Sequence, residues 1–290
     1  MLWILLVLFY GLAKGVREIF KKKALERNTV IEVLIVYTFV SFLLVVPTAG
    51  NAGGLPLKML AVVAVKSFVI FIAWLASFKA IEKMPISLIG VLDLSRVLFS
   101  TLLGVVILGE NMTLPKIIGL IFVLAGLMML KFKPGSKKSA DKQHGKSESV
   151  ALIYILLTLL SCILNAVSGT MDKVLMKSMT STQLQFWYML FLVLYYLIYI
   201  LIKRVKLNFK TLIKNYWIIA LSVLFVLADK ALFIANGIAE SEVTVMTLIK
   251  QSGCIMTILG GKFVFHEKNI GYKLLCASVV IAGILISVAF

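Results

Sequence analysis

Residues 86–108 read ISLIGVLDLSRVLFSTLLGVVIL, an apolar run that begins after Pro85 and ends before Gly109. Within this run only Asp93 and Arg96 carry charge. A helix of about 20 apolar residues can cross the roughly 30 Å hydrocarbon core of a bilayer. Strands of a membrane barrel would alternate in hydrophobicity over about ten residues, which this run does not do. The stretch therefore predicts a transmembrane helix.

Runs of the same kind fill the rest of the chain. The predicted spans lie at 1–20, 30–49, 58–80, 86–108, 113–131, 150–174, 182–202, 212–236, 243–264 and 270–290. Overall 61% of the residues are apolar and 15% are charged, whereas soluble domains are about half apolar and a quarter charged. The composition predicts an all-α integral membrane protein with ten transmembrane helices. The first run is expected to be a retained helix, because its basic residues follow the apolar segment and do not precede it.

The net charge is +17, but the basic residues are not distributed as on a nucleic-acid-binding surface. The basic residues cluster in short segments between apolar spans, as at Lys21, Lys22, Lys23, Lys203 and Arg204. This pattern follows the positive-inside rule of membrane proteins. We therefore expect both termini outside the cell, most of the lysines inside, and no nucleic-acid partner.

A polar stretch at the middle of the chain suggests an internal repeat. Residues 133–149 are rich in Lys, Ser and Gly and are typical of a flexible linker. They separate a first five-helix unit, 1–132, from a second, 150–290. The two units can be aligned, and this register pairs Ser95 with Ser252, Gly104 with Gly261 and Gly126 with Gly283. Because five is odd, the second unit is predicted to be inverted, with the substrate bound near the midplane between the repeats.

Two short motifs resemble a known family. Residues 108–113 read LGENMT and run into IGLIFVLAG at 118–126, and the second half has weaker copies at 266–270 and 281–283. The chain resembles the EamA-type members of the drug/metabolite transporter superfamily. That resemblance implies ten helices, with the first four of each half around a central cavity and the fifth and tenth packed together away from it. It also implies alternating access, and substrates from amino acids and phosphorylated metabolites to cations and drugs. Characterised members commonly have cytoplasmic termini, the reverse of the charge pattern here.

Charged side chains deep in the spans are the candidates for a site, since each costs about 2.5–3.5 kcal/mol on insertion scales. Asp93 and Arg96 share one face of the fourth helix with small residues, and Lys250 lies on a similar stripe in the ninth. The repeat register makes Asp93 equivalent to Lys250, and Gln251 adds a polar group beside it. The stripes can line a cavity, but they can also serve close helix packing or hold a purely structural ion pair.

Two other helices add candidates. Asp229 is expected to face inward with Lys230 beside it at the cavity wall, and Lys66 is either a cavity cation or a side chain that snorkels to the outer surface. The full set of predicted cavity residues is Lys66, Asp93, Arg96, Asp229, Lys230, Lys250 and Gln251. Its excess of cations favours an anionic or zwitterionic solute.

The remaining polar and aromatic residues are assigned less specific roles. Lys14 and Arg17 are expected to reach the basic inside surface, and Asp172 to anchor at the interface or gate the outer mouth. Glu110 and Glu267 are expected to cap the helices that follow them. The interfacial aromatic belts are assigned Trp187, Tyr188, Tyr195, Tyr196, Tyr216 and Trp217.

The pattern as a whole predicts a secondary active transporter in the plasma membrane, acting as a monomer or homodimer. Its partners would be a small organic solute, the lipid bilayer and a coupling proton or sodium ion. The alternatives are a flippase for a lipid-linked sugar or other amphiphile, an exporter of cationic drugs, and a scaffold or receptor. An enzyme is not expected, because the histidines are only His144 and His266 and no nucleophile–base pair or metal cluster stands out. No cofactor, metal or phosphate-binding loop is indicated.

Overall fold

The structure of the protein is a computed structural model that describes residues 2–109, 111–131, 144–267 and 269–289. Within these ranges the chain is helical and contains no strand. The helices are α1 (Leu2–Leu25), α2 (Val30–Val45), α3 (Leu57–Lys83), α4 (Ile86–Asp93), α5 (Arg96–Leu108), α6 (Leu114–Lys131), α7 (His144–Leu175), α8 (Ser181–Lys203), α9 (Phe209–Ile213), α10 (Tyr216–Gly237), α11 (Val243–Lys250), α12 (Gly253–Phe263) and α13 (Ile270–Ala289).

Six stretches of helix among the described residues are long and apolar enough to cross a membrane. They are Val30–Asn51, Leu57–Lys83, Ile86–Leu108, Leu152–Leu175, Ser181–Lys203 and Tyr216–Gly237. Shorter apolar helices cover Ile117–Gly126, Gly253–Phe263 and Ile270–Gly283. The chain is thus an all-helical, multi-pass membrane protein, and the count of ten crossings stays a prediction.

The central segment differs in part from the predicted linker. Residues 132–143 lie outside the described residues, but α7 begins at His144, so the end of the predicted linker 133–149 is helical. A polar sequence can extend an apolar helix because the backbone hydrogen bonds are made within the helix itself.

The second helix of each half begins in the same way. Thr29 accepts a hydrogen bond from the backbone of Glu32, whose carboxylate accepts from the backbone of Thr29. Thr180 and Gln183 form the same reciprocal arrangement at the start of α8. Such a capping box satisfies two backbone donors that a helix start would otherwise leave unpaired.

Two apolar runs that look continuous in sequence are broken near their middle. In the first, α4 ends at Asp93 and α5 starts at Arg96. In the second, α11 ends at Lys250 and α12 starts at Gly253. At the breaks the backbone bonds shift to the residue three earlier, as in Ser95 N–H to Leu92 O (3.0 Å) and Ser252 N–H to Ile249 O (3.1 Å). The breaks fall at positions that the repeat register makes equivalent.

Glycine contacts hold two pairs of helices close together. Helices α6 and α13 pack along each other, with Gly126 against Val280 and Gly283 against Phe122, and neither glycine has room for a Cβ. Helix α1 meets the start of α12 in the same manner, where Gly253 contacts the backbone of Gly11 and Gly15. Small residues let helix backbones approach in a membrane, where packing replaces the hydrophobic effect as the main attraction.

Candidate functional site

A cavity of about 1190 Å³, including space open to solvent, lies among the helices. Its walls come from α1, α2, α3, α4, α5, α7, α8, α10, α11 and α12. No described side chain of α6 or α13 lines it. This is the arrangement that the family resemblance implies for the fifth and tenth helices.

Asp93, the last residue of α4, is shared by two cations in the cavity. Arg96 Nη2 donates to Asp93 Oδ1 at 2.7 Å, and Lys14 Nζ donates to Oδ2. The Cys162 thiol lies 3.8 Å from Oδ1. The expectation that Lys14 reaches the inside surface is therefore wrong: its side chain is 9% exposed and is held in the cavity by the Asp93 carboxylate.

Arg17 forms a second buried contact with α10. Its Nη1 lies 3.3 Å from Asp229 Oδ1, and its guanidinium lies over the rings of Tyr10 (5.2 Å) and Phe225 (5.1 Å). The prediction that Arg17 reaches the surface is also wrong, because a carboxylate and two ring faces stabilise its charge inside the protein. Arg17 and Asp229 both line the cavity.

Lys66 and Asp172 form a third pair. Lys66 Nζ lies 3.1 Å from Asp172 Oδ1, and the two side chains are 2% and 7% exposed. The ammonium also lies 3.6 Å from the ring centroid of Tyr188. The snorkelling alternative for Lys66 is therefore wrong, and so is an interfacial anchoring role for Asp172, because each side chain is buried against the opposite charge of the other.

Lys250, the last residue of α11, has no such partner. It lines the cavity and is 8% exposed, and its Nζ lies 5.8 Å from the centroid of the Tyr10 ring. Among the described residues no carboxylate lies within 4 Å of this ammonium. Thr247, Cys254 and Thr257 of the same stripe also line the cavity.

Two predicted cavity residues are placed elsewhere. Lys230 is half-buried and donates to Thr182 Oγ1 at 2.6 Å on α8, so it does not line the cavity. Successive helix residues point about 100° apart, and Asp229 takes the inward direction. Gln251 is 2% exposed at the α11–α12 break but is not part of the lining, and its Nε2 has no hydrogen-bond partner in the described part of the chain.

Glu267 caps a helix of the other half and not the helix that follows it. Its Oε1 accepts from Ile86 N–H at 2.6 Å, its Oε2 accepts from the amide and hydroxyl of Ser87, and Lys273 Nζ lies 3.2 Å away. Burial raises the pKa of Glu267, but the hydrogen bond from Ser87 and the charge of Lys273 outweigh it and hold the pKa below its usual range. The expected capping role is thus corrected to the start of α4. Glu110 lies outside the described residues.

Some of the predicted belt aromatics are core residues. Tyr188 and Tyr196 are 2% and 0% exposed, and Tyr196 Oη donates to Phe71 O at 3.4 Å. Trp187 Nε1 donates to Ala52 O at 2.9 Å, while Tyr216 is exposed. Sequence position near a span end did not distinguish these cases, because a ring at the same depth can face lipid or a neighbouring helix.

The cavity residues of α1 were missed although the sequence contains a signal for them. Tyr10, Lys14, Arg17 and Lys21 recur at spacings of four, three and four, which places them on one face of a helix. All four line the cavity, and Lys21 pairs with Glu18 at 2.6 Å. This spacing indicates one cavity-facing polar stripe on α1.

Apolar helices around a charged internal cavity define the class of the protein as a multi-pass membrane protein with an internal polar site. The sequence model of the EamA-like transporter family matches residues 1–132 and 152–289. The chain therefore belongs to the EamA-like transporter family, whose members are transporters and not enzymes.

Other comparisons add the fold alone. One solved crystal structure of a protein matches with a TM-score of 0.65 and 12% sequence identity, and the match covers 96% of each chain. No curated protein matches the sequence.

Proposed function

We propose that the protein is a secondary active transporter that moves a small organic solute by alternating access. In this proposal residues 1–132 and 150–290 form two inverted five-helix repeats with ten crossings, joined by residues 133–149, whose last part is the start of α7. The solute is anionic or zwitterionic and not cationic, and a proton or sodium ion supplies the driving force.

The matched breaks support the inverted repeat. Both broken spans change from α-helical to tighter hydrogen bonding at equivalent residues, and both carry their charged group at the last residue before the break. Discontinuous helices at the midplane of inverted repeats are a recurring way to build a transport site. The α6–α13 pair, the last helix of each half, provides a further symmetric feature outside the cavity.

The single observation that carries the proposal is the lining of the cavity. Buried ionisable side chains from both halves face the same cavity. Intramembrane charges are costly and usually mark a substrate or ion pathway. The proposed solute-binding residues are Asp93, Arg96, Lys250, Lys66 and Asp229, joined by Lys14, Arg17 and Asp172.

Transport by the purified full-length chain in proteoliposomes tests the function. We expect electrical currents or uptake with members of a panel of anions and zwitterions, driven by an imposed proton or sodium gradient. Movement of quaternary ammonium ions in preference to anions would contradict the proposed charge preference. Failure of every panel member to move or to stabilise the protein would contradict the transporter assignment.

The proposed orientation places both termini outside a plasma membrane. A single cysteine introduced into 133–149 tests it, because Cys162, Cys254 and Cys276 are buried and give little background labelling. We expect no reaction with a membrane-impermeant thiol reagent in intact cells and reaction after permeabilisation. Labelling in intact cells would reverse the orientation.

A further inference from the structure

The cavity lining contains more positive than negative charge. Among the described residues it has six cationic side chains and four carboxylates. The cations are Lys14, Arg17, Lys21, Lys66, Arg96 and Lys250, and the carboxylates are Glu18, Asp93, Asp172 and Asp229. A buried excess of two charges is unfavourable unless an opposite charge accompanies it.

The ion pairs show where that excess lies. Glu18, Asp172 and Asp229 each neutralise one cation, namely Lys21, Lys66 and Arg17 in that order. The fourth carboxylate, Asp93, is shared by Lys14 and Arg96, so one positive charge remains there. The second surplus charge is Lys250, which has no carboxylate within 4 Å among the described residues.

The two surplus charges lie on helices that pack against each other. Gly11 and Gly15 flank Lys14 on α1, and both contact the backbone of Gly253 just after the α11–α12 break. Lys250 is the last residue before that break. Helix α4 also packs on α12, where Gly90 meets Thr257 one turn from Asp93. The packing therefore places the Asp93 cluster on helices that neighbour the break beside Lys250.

One donor at the Asp93 cluster is also unsatisfied. Arg96 Nε is buried and has no hydrogen-bond partner in the described structure, while Nη2 is occupied by Asp93. A guanidinium can engage a second carboxylate or phosphate oxygen through such an unused donor, and charge-assisted bonds of this kind are stronger than neutral ones.

We propose that the site is built for a small solute with two negative charges, a dicarboxylate or a phosphate ester. One charge lies at Lys250 and the other at Lys14 and Arg96. The inference rests on the proposed transport function and narrows its substrate class. A dianion neutralises the lining, a monoanion leaves one buried charge uncompensated, and a zwitterion leaves two.

Thermal stabilisation of the purified full-length protein in nanodiscs tests the inference at constant ionic strength. The dianions are succinate and glycerol 3-phosphate, and the matched monoanions are butyrate and dimethyl phosphate. The panel also includes glycine betaine as a zwitterion. We expect either dianion, or both, to raise the unfolding temperature at concentrations at least about tenfold lower than the monoanions. The comparison of succinate with glycerol 3-phosphate shows whether the site prefers a dicarboxylate or a phosphate ester.

Variants connect the effect to the two charges. We expect Lys250→Gln and Arg96→Gln each to weaken stabilisation by the dianion at least about tenfold, and Lys250→Arg to retain most of it. Lys262→Gln is the matched control, since Lys262 is exposed on α12, in the same span as Lys250.

The outcomes separate this inference from the transport function. Equal stabilisation by monoanions, a response to the zwitterion alone, or an unchanged dianion response in Lys250→Gln would overturn the dianion site and leave the transporter proposal standing. The absence of any response to the dianions would overturn it as well. Solute-driven currents in proteoliposomes report on the transport function independently.

Discussion

The spans α4–α5 and α11–α12 are both interrupted near their middle, and the residues that precede the two breaks have opposite charges. Each breaks near its middle, but Asp93 ends α4 and Lys250 ends α11. Asp93 is enclosed by two cations, whereas Lys250 has an aromatic ring nearby and no carboxylate within 4 Å among the described residues. The two spans thus share the same break, while the side chains leave one surplus positive charge at the Asp93 cluster and a second at Lys250.

If both residues take part in transport, removal of either charge should have the largest effect of all. We expect Asp93→Ala and Lys250→Ala to reduce uptake in proteoliposomes to background, while each variant remains folded in the membrane. Lys262→Ala, in the same span as Lys250 but exposed, should transport normally. Normal transport by both cavity variants would remove the basis for the site.

Removal of the Asp93 charge and removal of the Lys250 charge should change the stability of the solute-free protein differently. Asp93→Asn leaves Lys14 and Arg96 without their carboxylate and should cost about 3–5 kcal/mol in free energy of unfolding. Lys250→Gln removes a buried charge that has no ion-pair partner among the described residues, so the unfolding temperature should stay the same or rise. A thermal-unfolding assay on both purified variants measures the difference, and equal losses would show that Lys250 is structurally paired.

The backbone contact beneath the second break should tolerate no side chain. Gly253→Ala places a Cβ against the carbonyl of Gly11 and should destabilise the protein by about 1–3 kcal/mol through overpacking. Gly271→Ala is the control, because no atom of the described residues lies within 4 Å of a Cβ there. A matching unfolding temperature for the two variants would mean that α1 and α12 can separate without cost.

Loss of the Glu267 contact at the start of α4 should have the smallest effect on the free energy of unfolding. Glu267→Gln replaces a charged acceptor of two backbone amides and should cost about 1.5 kcal/mol. Because the pKa of Glu267 is lower in the folded state, its contribution is complete above the usual glutamate pKa and is lost as the pH falls through the folded value. The unfolding temperatures of wild type and variant should therefore converge on acidification. Glu240→Gln, at an exposed loop position, should match wild type at every pH.

The sequence was most informative where one residue type acts by itself. The apolar runs predicted helices that the structure contains. Small or polar residues that share a helix face with Asp93 or Lys250 line the cavity, namely Gly90, Ser100, Thr247 and Thr257. It was least informative where the partner lies far along the chain. Lys14 and Asp93, or Lys66 and Asp172, are distant in sequence, so no local pattern shows that they meet.

The amino-acid sequence by itself determined that the chain is a helical membrane protein, because hydrophobicity and charge distribution act residue by residue along each span. Its alignment of the two halves also predicted that Asp93 and Lys250 are equivalent. Only the tertiary structure decided which charges neutralise one another and which remain open. Burial and ion pairing depend on the positions of side chains from separate helices, and those positions exist only after the helices have packed.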